Sequence, residues 1–570
     1  MVKTCLPRIA LCFCMIAAPL LVTACGGGGG GSSAQPIGLS PPPPPPLPLP
    51  PPPPPPPAGL TWQSGVYPAS SQTQDRCEVV RTGVDSEGRA FPDITGSLLA
   101  EKFWLRSWTR ETYLWNDEVV DTDPALTPSK LDYFASLRTT AKTSSNKDKD
   151  SFHFSQSTVD YLASRNSAPQ ASYGVSFAIF ASSRPRDIRV RYTEPNSPAA
   201  EVANGQAKLI RGAKILSVNG IDAINGGTNQ ADLDIINNGL FPPLPGVATT
   251  LVVRDAGASA DRTVTIVSAN LAQKPVNRTQ IIATPTGNVG YVLFNTFSPF
   301  SSEREIRDAI DTMKTSNVAD LVLDLRYNGG GLLNVAGQLS YMIAGPTATS
   351  GKLFESLKFN AQSGNFNPVT GAINSPTAFS STGLGFSVPN GTPLPTLNLR
   401  RVYILSTSRT CSASEAVING LRGIDIEVVL IGGTTCGKPY GFYATSNCGE
   451  TYYTIQFQGL NNKGFGDYAD GFTASNSTAP FGVRVPGCAV SDDFNKELGD
   501  PAEAMFAAAL SYRATGSCPV PPSGSDQAQA LRQGSASGPP GSTAVILGDR
   551  PISIPPASIF ETNRDMTMPR

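Results

Sequence analysis

Leu321-Val322-Leu323-Asp324-Leu325-Arg326-Tyr327-Asn328-Gly329-Gly330-Gly331 decides the fold. Its first five residues read as a buried strand. The glycines end that strand in a tight turn, and a helical stretch resumes after Gly331. The same unit recurs on both sides. Val289-Gly290-Tyr291-Val292-Leu293-Phe294 is a buried strand ahead of it. Ser302 and Glu305 stand at capping-box spacing, and Ile306, Ile310 and Met313 give the helix behind them an apolar face. Val402-Tyr403-Ile404-Leu405 and Glu427-Val428-Val429-Leu430-Ile431 are two further strands, with a helix after Ser412 between them. Alternating strands and helices over 288–515 predict an α/β sandwich with buried strands. A Ser-, Gly- and Pro-rich insertion at 344–398 interrupts it.

Outward from this core the chain changes character. Residues 98–165 read as mostly helical, with Trp104, Trp108 and Trp115 expected on one helical face as a packing core. Ser144 to Ser151, rich in Lys and Asp, reads as a solvated loop. Residues 171–272 carry short β-rich runs: Val175–Ile179, Ile188–Tyr192, Lys214–Gly220 and Thr250–Arg254. Ser197-Pro198-Ala199-Ala200 is expected to open a short helix among them. After Cys518 a Gln-, Ser-, Gly- and Pro-rich composition predicts a mostly disordered tail over 519–570.

The chain has 570 residues, room for two to four domains, and enough apolar residues (40%) for real cores. Charged residues are 16% and the net charge is -1, so no nucleic-acid partner is expected. His153 is the single histidine, which excludes zinc sites built on two or three His ligands. A Ser-His-Asp triad would have to run through it, so a hydrolase on this chain is expected to use another base.

Residues 1–24 read as an export signal: Lys3 and Arg8, then an apolar run from Ile9 to Val22. Val22-Thr23-Ala24-Cys25 resembles the bacterial lipoprotein signal, which implies lipidation of Cys25 and membrane attachment through acyl chains. Gly26, rather than Asp, follows Cys25, which by the same resemblance implies the periplasmic side of an outer membrane. Residues 25–60 form a Gly/Pro-rich tether, whose proline run is expected to be a polyproline II rod of roughly 50 Å. Six cysteines remain beyond the anchor, Cys77, Cys411, Cys436, Cys448, Cys488 and Cys518, and six allow fifteen pairings. An exported chain favours disulfides, and no close-set pair has metal-ligand spacing.

Three segments fall where strands end and helices begin: Asp324–Gly331, Thr410-Cys411-Ser412-Ala413-Ser414-Glu415, and Gly432-Gly433-Thr434-Thr435-Cys436-Gly437-Lys438. In this order they resemble the C-terminal processing (tail-specific) peptidases, and the resemblance covers roughly 98–515. It implies a multidomain α/β chain: an N-terminal mostly helical domain (61–170), a β-rich PDZ-like domain (171–272) and a crotonase-like protease core (280–518). The runs over 171–272, with Arg211–Gly220, are similar to a PDZ domain of bacterial proteases, and Tyr173-Gly174-Val175-Ser176 lies where that family has its carboxylate-binding loop. There a peptide is held by free backbone amides and adds as a strand.

The resemblance further implies a Ser-Lys dyad, with Ser412 as nucleophile and Lys438 as general base, and an oxyanion hole made by the amides of Gly330 and Ala413. Neither a cofactor nor a metal is needed, and the partners are polypeptides with accessible C-termini. Asp324 and Arg326 are expected to support the strand end. The family often carries a Gln four residues after the Lys; here that position is Phe442, while Gln456 and Gln458 lie further on. The Ser-to-Lys spacing is one residue longer than usual. Cys411 adjoins Ser412, and Cys436 and Cys448 bracket Lys438. A Cys436–Cys448 bridge would lock the Lys loop, whereas Cys411 bonded elsewhere would pin the nucleophile. Two other readings remain open: a peptide-binding scaffold without chemistry, and a tricorn-like Ser-His peptidase using His153.

Overall fold

The computed structural model describes residues 59–519 apart from Asn204, together with strands at 544–547, 550–553 and 564–565. The export signal, Cys25 and the Pro-rich tether lie outside the described residues.

Ser97 caps the first helix, α1 (Leu98–Thr112), by accepting from Ala100 N at 3.1 Å. Trp104 and Trp108 stack on one face of it at 5.1 Å. Trp115 does not share that face, because the helix ends at Thr112; its ring meets Tyr440 edge-on at 4.8 Å instead. Two shorter helices follow, α2 (Lys130–Ser136) and α3 (Thr158–Arg165), each opened by a serine cap. The chain between them is irregular up to a strand, Phe154–Ser157, that pairs with Glu450–Tyr453, so this region is less helical than its composition suggests.

Five strands then form the main path of a six-stranded antiparallel sheet: β1 (Val175–Ala181), β2 (Asp187–Thr193), β3 (Lys214–Val218), β4 (Ala248–Arg254) and β5 (Arg262–Val267), with the short strand Ile221–Asp222 pairing with β3 off that path. Their order is 5-4-3-2-1, so β1 is an edge. Alternate residues such as Leu251 and Val253 turn inward, where they meet Leu233 and Ile236 of α4 (Gln230–Leu240) in a core of their own. Ser197–Ala200 is a hydrogen-bonded turn rather than a helix, with Ser197 Oγ donating to Gly174 O at 3.2 Å.

The central sheet contains β6 (Val276–Ile282), β7 (Val289–Phe294), β8 (Asp320–Asp324), β9 (Arg401–Ser406), β10 (Glu427–Gly432) and β11 (Gly487–Cys488), in that spatial order. Only the β6–β7 pair is antiparallel. Alternation explains how both faces are filled. Val292, Leu323, Ile404 and Leu430 face α5 (Ser301–Thr315), α6 (Leu333–Thr349) and α7 (Ala413–Gly423). Tyr291, Val322, Leu405 and Ile431 face α8 (Ala504–Thr515). Val417, Ile418 and Leu421 of α7 are fully buried, and burial of each such side chain contributes about 1.5–3 kcal/mol.

Two local expectations are corrected. The capping box does not form at Ser302: α5 starts at Ser301, Ser302 Oγ donates to Phe297 O at 3.1 Å, and Glu305 accepts from Val276 N. Its apolar face of Ile306, Ile310 and Met313 is buried as expected. The insertion over 344–398 is partly core structure. α6 continues to Thr349 past a bend at Gly345 (φ +78), and Leu353–Lys358 pairs with Phe457–Leu460.

Candidate active site

Parallel strands deliver their loops to one end of the sheet, where α/β folds place their ligands. The loops after β8, β9 and β10 are the three segments singled out in the sequence. Hydrogen bonds join the first two: Thr410 Oγ1 donates to Leu325 O (2.8 Å), and Cys411 N and Ser414 Oγ both donate to Asn328 O (3.0 Å each). Ser414 thus serves as a bolt between loops and not as a helix cap.

Ser412 immediately precedes α7 and is fully buried. Its backbone has φ +61 and ψ -111, a strained conformation for a non-glycine residue. Its Oγ has no hydrogen-bond partner among the described residues. The hydroxyl is therefore held at a helix N-terminus with its proton uncommitted. Lys438 is also fully buried, and its Nζ lies between two rings, 4.7 Å from Phe152 and 4.8 Å from Phe442. The position four residues past the lysine thus supplies an aromatic wall. Gln456 Oε1 accepts from Tyr443 N (2.7 Å), and Gln458 Nε2 donates to Gly466 O (2.9 Å).

One buried carboxylate joins the two loops. Glu415 Oε2 accepts from Ser412 N at 3.0 Å and from Lys438 N at 2.8 Å. Its Oε1 accepts from Gly437 N at 2.8 Å and from Thr435 Oγ1 at 2.5 Å. Burial pushes the Glu415 carboxyl above its ordinary range, while these donors pull it back. Gly437 has φ +87, and a Cβ there would meet Ala469 O at 2.2 Å, so only glycine lets the lysine loop approach so closely.

The same loops are joined covalently. Cys411 bonds to Cys436, with Cα atoms 5.2 Å apart. The Cys436–Cys448 bridge considered from sequence is not formed: Cys448 pairs with Cys77, and Cys488 pairs with Cys518. The bridge nearest the site therefore runs between the segments of Ser412 and Lys438 instead of closing one of them. Cys411, Glu415 and Cys436 are the one group of potential metal ligands among the described residues, and both sulfurs are spent on each other.

Two amides were expected to face an oxyanion. Ala413 N–H is in the first turn of α7, where a helix leaves its amides without internal partners. Gly330 N–H is already engaged, donating to Asn328 Oδ1 at 2.9 Å. Asn328 Nδ2 in turn donates to Phe294 O at 2.9 Å. Asp324 and Arg326 support the strand end as expected. Arg326 is buried and donates to Asp324 (3.0 Å), Asp492 (2.7 Å) and Glu503 (2.9 Å). Arg211, from the β2–β3 connection, reaches the same Asp492 at 2.6 Å.

In the segment 173–176, Tyr173 is buried and donates to Thr249 Oγ1 (2.8 Å). Gly174 has φ +71, and its N donates to Ser172 Oγ (2.9 Å). Val175 and Ser176 begin the edge strand β1. This segment leads into the antiparallel sheet, whereas Ser412 lies in the loop after β9 of the central sheet. His153 is a core residue. Its ring stacks on Phe134 at 3.9 Å, Nε2 lies 2.8 Å from Phe134 O, and Nδ1 lies 3.1 Å from Thr454 Oγ1. Burial holds its pKa below the ordinary range, and neither nitrogen is left for Ser412.

Sequence reasoning gave no role to Glu415, Asn328 or Phe152. The one available signal was the spacing of Ser412 and Glu415, three residues apart, at which a carboxylate reaches back to the N-cap amide.

Residues 288–442, which contain all three loops, match the family model described as Peptidase family S41. No curated protein matches the chain. Among solved structures, a candidate S41 protease from Bacteroides fragilis is similar at TM-score 0.54 and 23% identity, covering 75% of this chain and 99% of its own. The photosystem II D1 C-terminal processing protease aligns at TM-score 0.37 and 16% identity, over 65% of this chain and 90% of its own. Mature CPAF complexed with lactacystin aligns at TM-score 0.31 and 12% identity, over 65% and 92%.

Proposed function

We propose that this chain, whose residues 288–442 match the model of peptidase family S41, is a serine endopeptidase working with a Ser412–Lys438 dyad. The observation that carries this reading is the shared anchor: the amides of Ser412 and Lys438 meet on one oxygen of Glu415. Ser412 Oγ attacks the scissile carbonyl while Lys438 Nζ takes its proton. For that the amine must be neutral when it acts. The oxyanion develops at the start of α7, against Ala413 N–H. Gly330 N–H becomes the second donor once Asn328 Oδ1 gives it up. Lys438 then returns the proton to the leaving amine, and water resolves the acyl-enzyme.

In this reading residues 171–272 are a PDZ-like domain. Its Tyr173–Ser176 loop would hold a peptide carboxylate, and the edge strand β1 offers a place for the peptide to add. Cys25 is the lipid anchor of an exported, outer-membrane lipoprotein. Replacing it with serine should move the protein from the detergent-soluble membrane fraction to the aqueous one.

Cleavage of an unfolded polypeptide by wild type, Ser412→Ala, Lys438→Ala and His153→Gln tests the dyad. The first two variants should be inactive. His153→Gln should lose thermal stability but keep its turnover at temperatures where it is folded. An active Lys438→Ala enzyme would refute the reading.

A further inference from the structure

Arg186 stands immediately before β2 and is only 1% exposed. Its Nη1 donates to Gly226 O at 2.9 Å and to Ala223 O at 3.3 Å. Its Nε and Nη2 form the edge with which a guanidinium grips a carboxylate, and both are buried without a hydrogen-bond partner. No acidic side chain among the described residues fills that edge. Asp222 attracts it from further off, but Asp222 Oδ1 already accepts from Ile224 N (2.8 Å) and Asn225 N (3.1 Å), and Arg184 adds a like charge. A buried charge without a counterion is costly, which favours any anion that reaches it. Gly227 stands beside the free edge. A Cβ there would lie 3.4 Å from Arg186 Nη2, 3.0 Å from Leu233 and 3.3 Å from Ile236, so the glycine keeps that corner unfilled. Two residues on, Asn229 caps α4 by accepting from Asp232 N at 2.9 Å. The corner therefore adjoins the positive end of a helix.

The corner lies at a definite distance from the Tyr173–Ser176 segment. The C-terminal end of α4 is near that segment: a Cβ at Gly239 would lie 3.4 Å from Thr249, whose Oγ1 accepts from Tyr173. The N-terminal end of α4 is at Arg186. The edge strand β1 runs the same course, from Val175 to Ala181, and Ala181 pairs with Asp187, the neighbour of Arg186. The eleven residues of α4 span about 16 Å, which an extended peptide covers in about five residues. We propose that Arg186 and the entry to α4 form a subsite for an acidic side chain of a bound peptide, roughly four to six residues before its C-terminus. The carboxylate accepts from Nε and Nη2 together. The position along the peptide rests on the reading of Tyr173–Ser176 as the loop that holds the terminal carboxylate; the charge preference does not.

The test is a binding scan on the full-length chain carrying Ser412→Ala, so that no cleavage intervenes. Fluorescein-labelled peptides of one uncharged sequence, with a free C-terminus, carry a single Glu or Gln that is moved one place at a time. Anisotropy titrations give Kd for each. Glu should bind about tenfold tighter than Gln within the predicted window and nowhere else. Arg186→Met should abolish that gain while leaving the Gln peptides bound as before, which also shows that the variant is folded. Arg186→Lys should keep only part of the gain, because it retains the charge and loses the fork. A flat scan on the parent chain overturns the proposal without any variant, and so does a Glu preference that survives in Arg186→Met. The scan is repeated with amidated C-termini. If the amides bind as tightly as the free acids and the Glu preference persists, the Arg186 subsite stands and the carboxylate-loop reading of Tyr173–Ser176 fails.

Discussion

Glu415 is the residue whose replacement most sharply tests the architecture of the site. It touches no substrate in the proposed mechanism, yet it collects three amides and a hydroxyl, those of Ser412, Gly437, Lys438 and Thr435. Alanine would strand three buried amides at about 1–3 kcal/mol each, a gross loss of roughly 3–9 kcal/mol. Removing a buried charge returns a few kcal/mol of desolvation, leaving a net loss of about 3–5 kcal/mol. That is a large part of the 5–15 kcal/mol typical of a folded domain. Glutamine keeps the shape. Its carbonyl can serve Ser412 N and Lys438 N, and the Thr435 hydroxyl can rotate to accept from its NH₂. Only Gly437 N loses its acceptor, at about 1–3 kcal/mol. Glu415→Gln should therefore fold, with a modestly lowered Tm. Displacement of the nucleophile relative to the base should reduce kcat about 10- to 100-fold, with KM nearly unchanged. Thermal melts and steady-state kinetics on one fluorogenic peptide give both numbers. A Glu415→Ala enzyme with wild-type Tm and wild-type kcat would refute the reasoning.

Three other outcomes are expected. Cys411→Ala/Cys436→Ala should lower kcat at least tenfold with little change in KM, whereas Cys488→Ala/Cys518→Ala, remote from the three loops, should lower Tm alone; equal kcat in the two would remove the positioning role of the first bridge. Arg326→Met should cost about 3–5 kcal/mol in urea melts, because Asp324 and Glu503 would lose their buried partner. Burial pushes Glu194 up to about 7, so its folded form holds a proton more tightly than its unfolded form, for which the ordinary value is 4.5. Stability must then fall as pH rises from about 4.5 through about 7, and Glu194→Gln should gain up to about 3 kcal/mol at pH 8 and nothing at pH 4; an equal gain at both would contradict the shift.

The strands and loops of the core were legible because their signals are local. A run such as Leu321–Leu325 must be buried on both faces to sit in a parallel sheet, and the glycines behind it can only turn. What could not be read depends on distant atoms. The capping-box spacing at Ser302 and Glu305 was real, but Phe297 O and Val276 N outbid the helix for those side chains. The same spacing at Ser412 and Glu415 does deliver the carboxylate to the N-cap amide, with Gly437, Lys438 and Thr435 meeting it from a loop 20 to 23 residues away. Spacing alone cannot distinguish these two outcomes, since both satisfy the same local rule. Cysteine pairing fails for a related reason. Cys436 and Cys448 are close in sequence, but the turn at Gly437 carries Cys436 toward Cys411, while Cys448 faces Cys77 across the molecule. The surroundings of Lys438 also become intelligible only in three dimensions. Phe442 closes a ring-lined slot with Phe152 from the N-terminal region. The lysine is thus enclosed by a segment nearly three hundred residues away in the chain. Through Phe152 the N-terminal region is a wall of the candidate site, which predicts that its loss would open the slot and not merely shorten the protein.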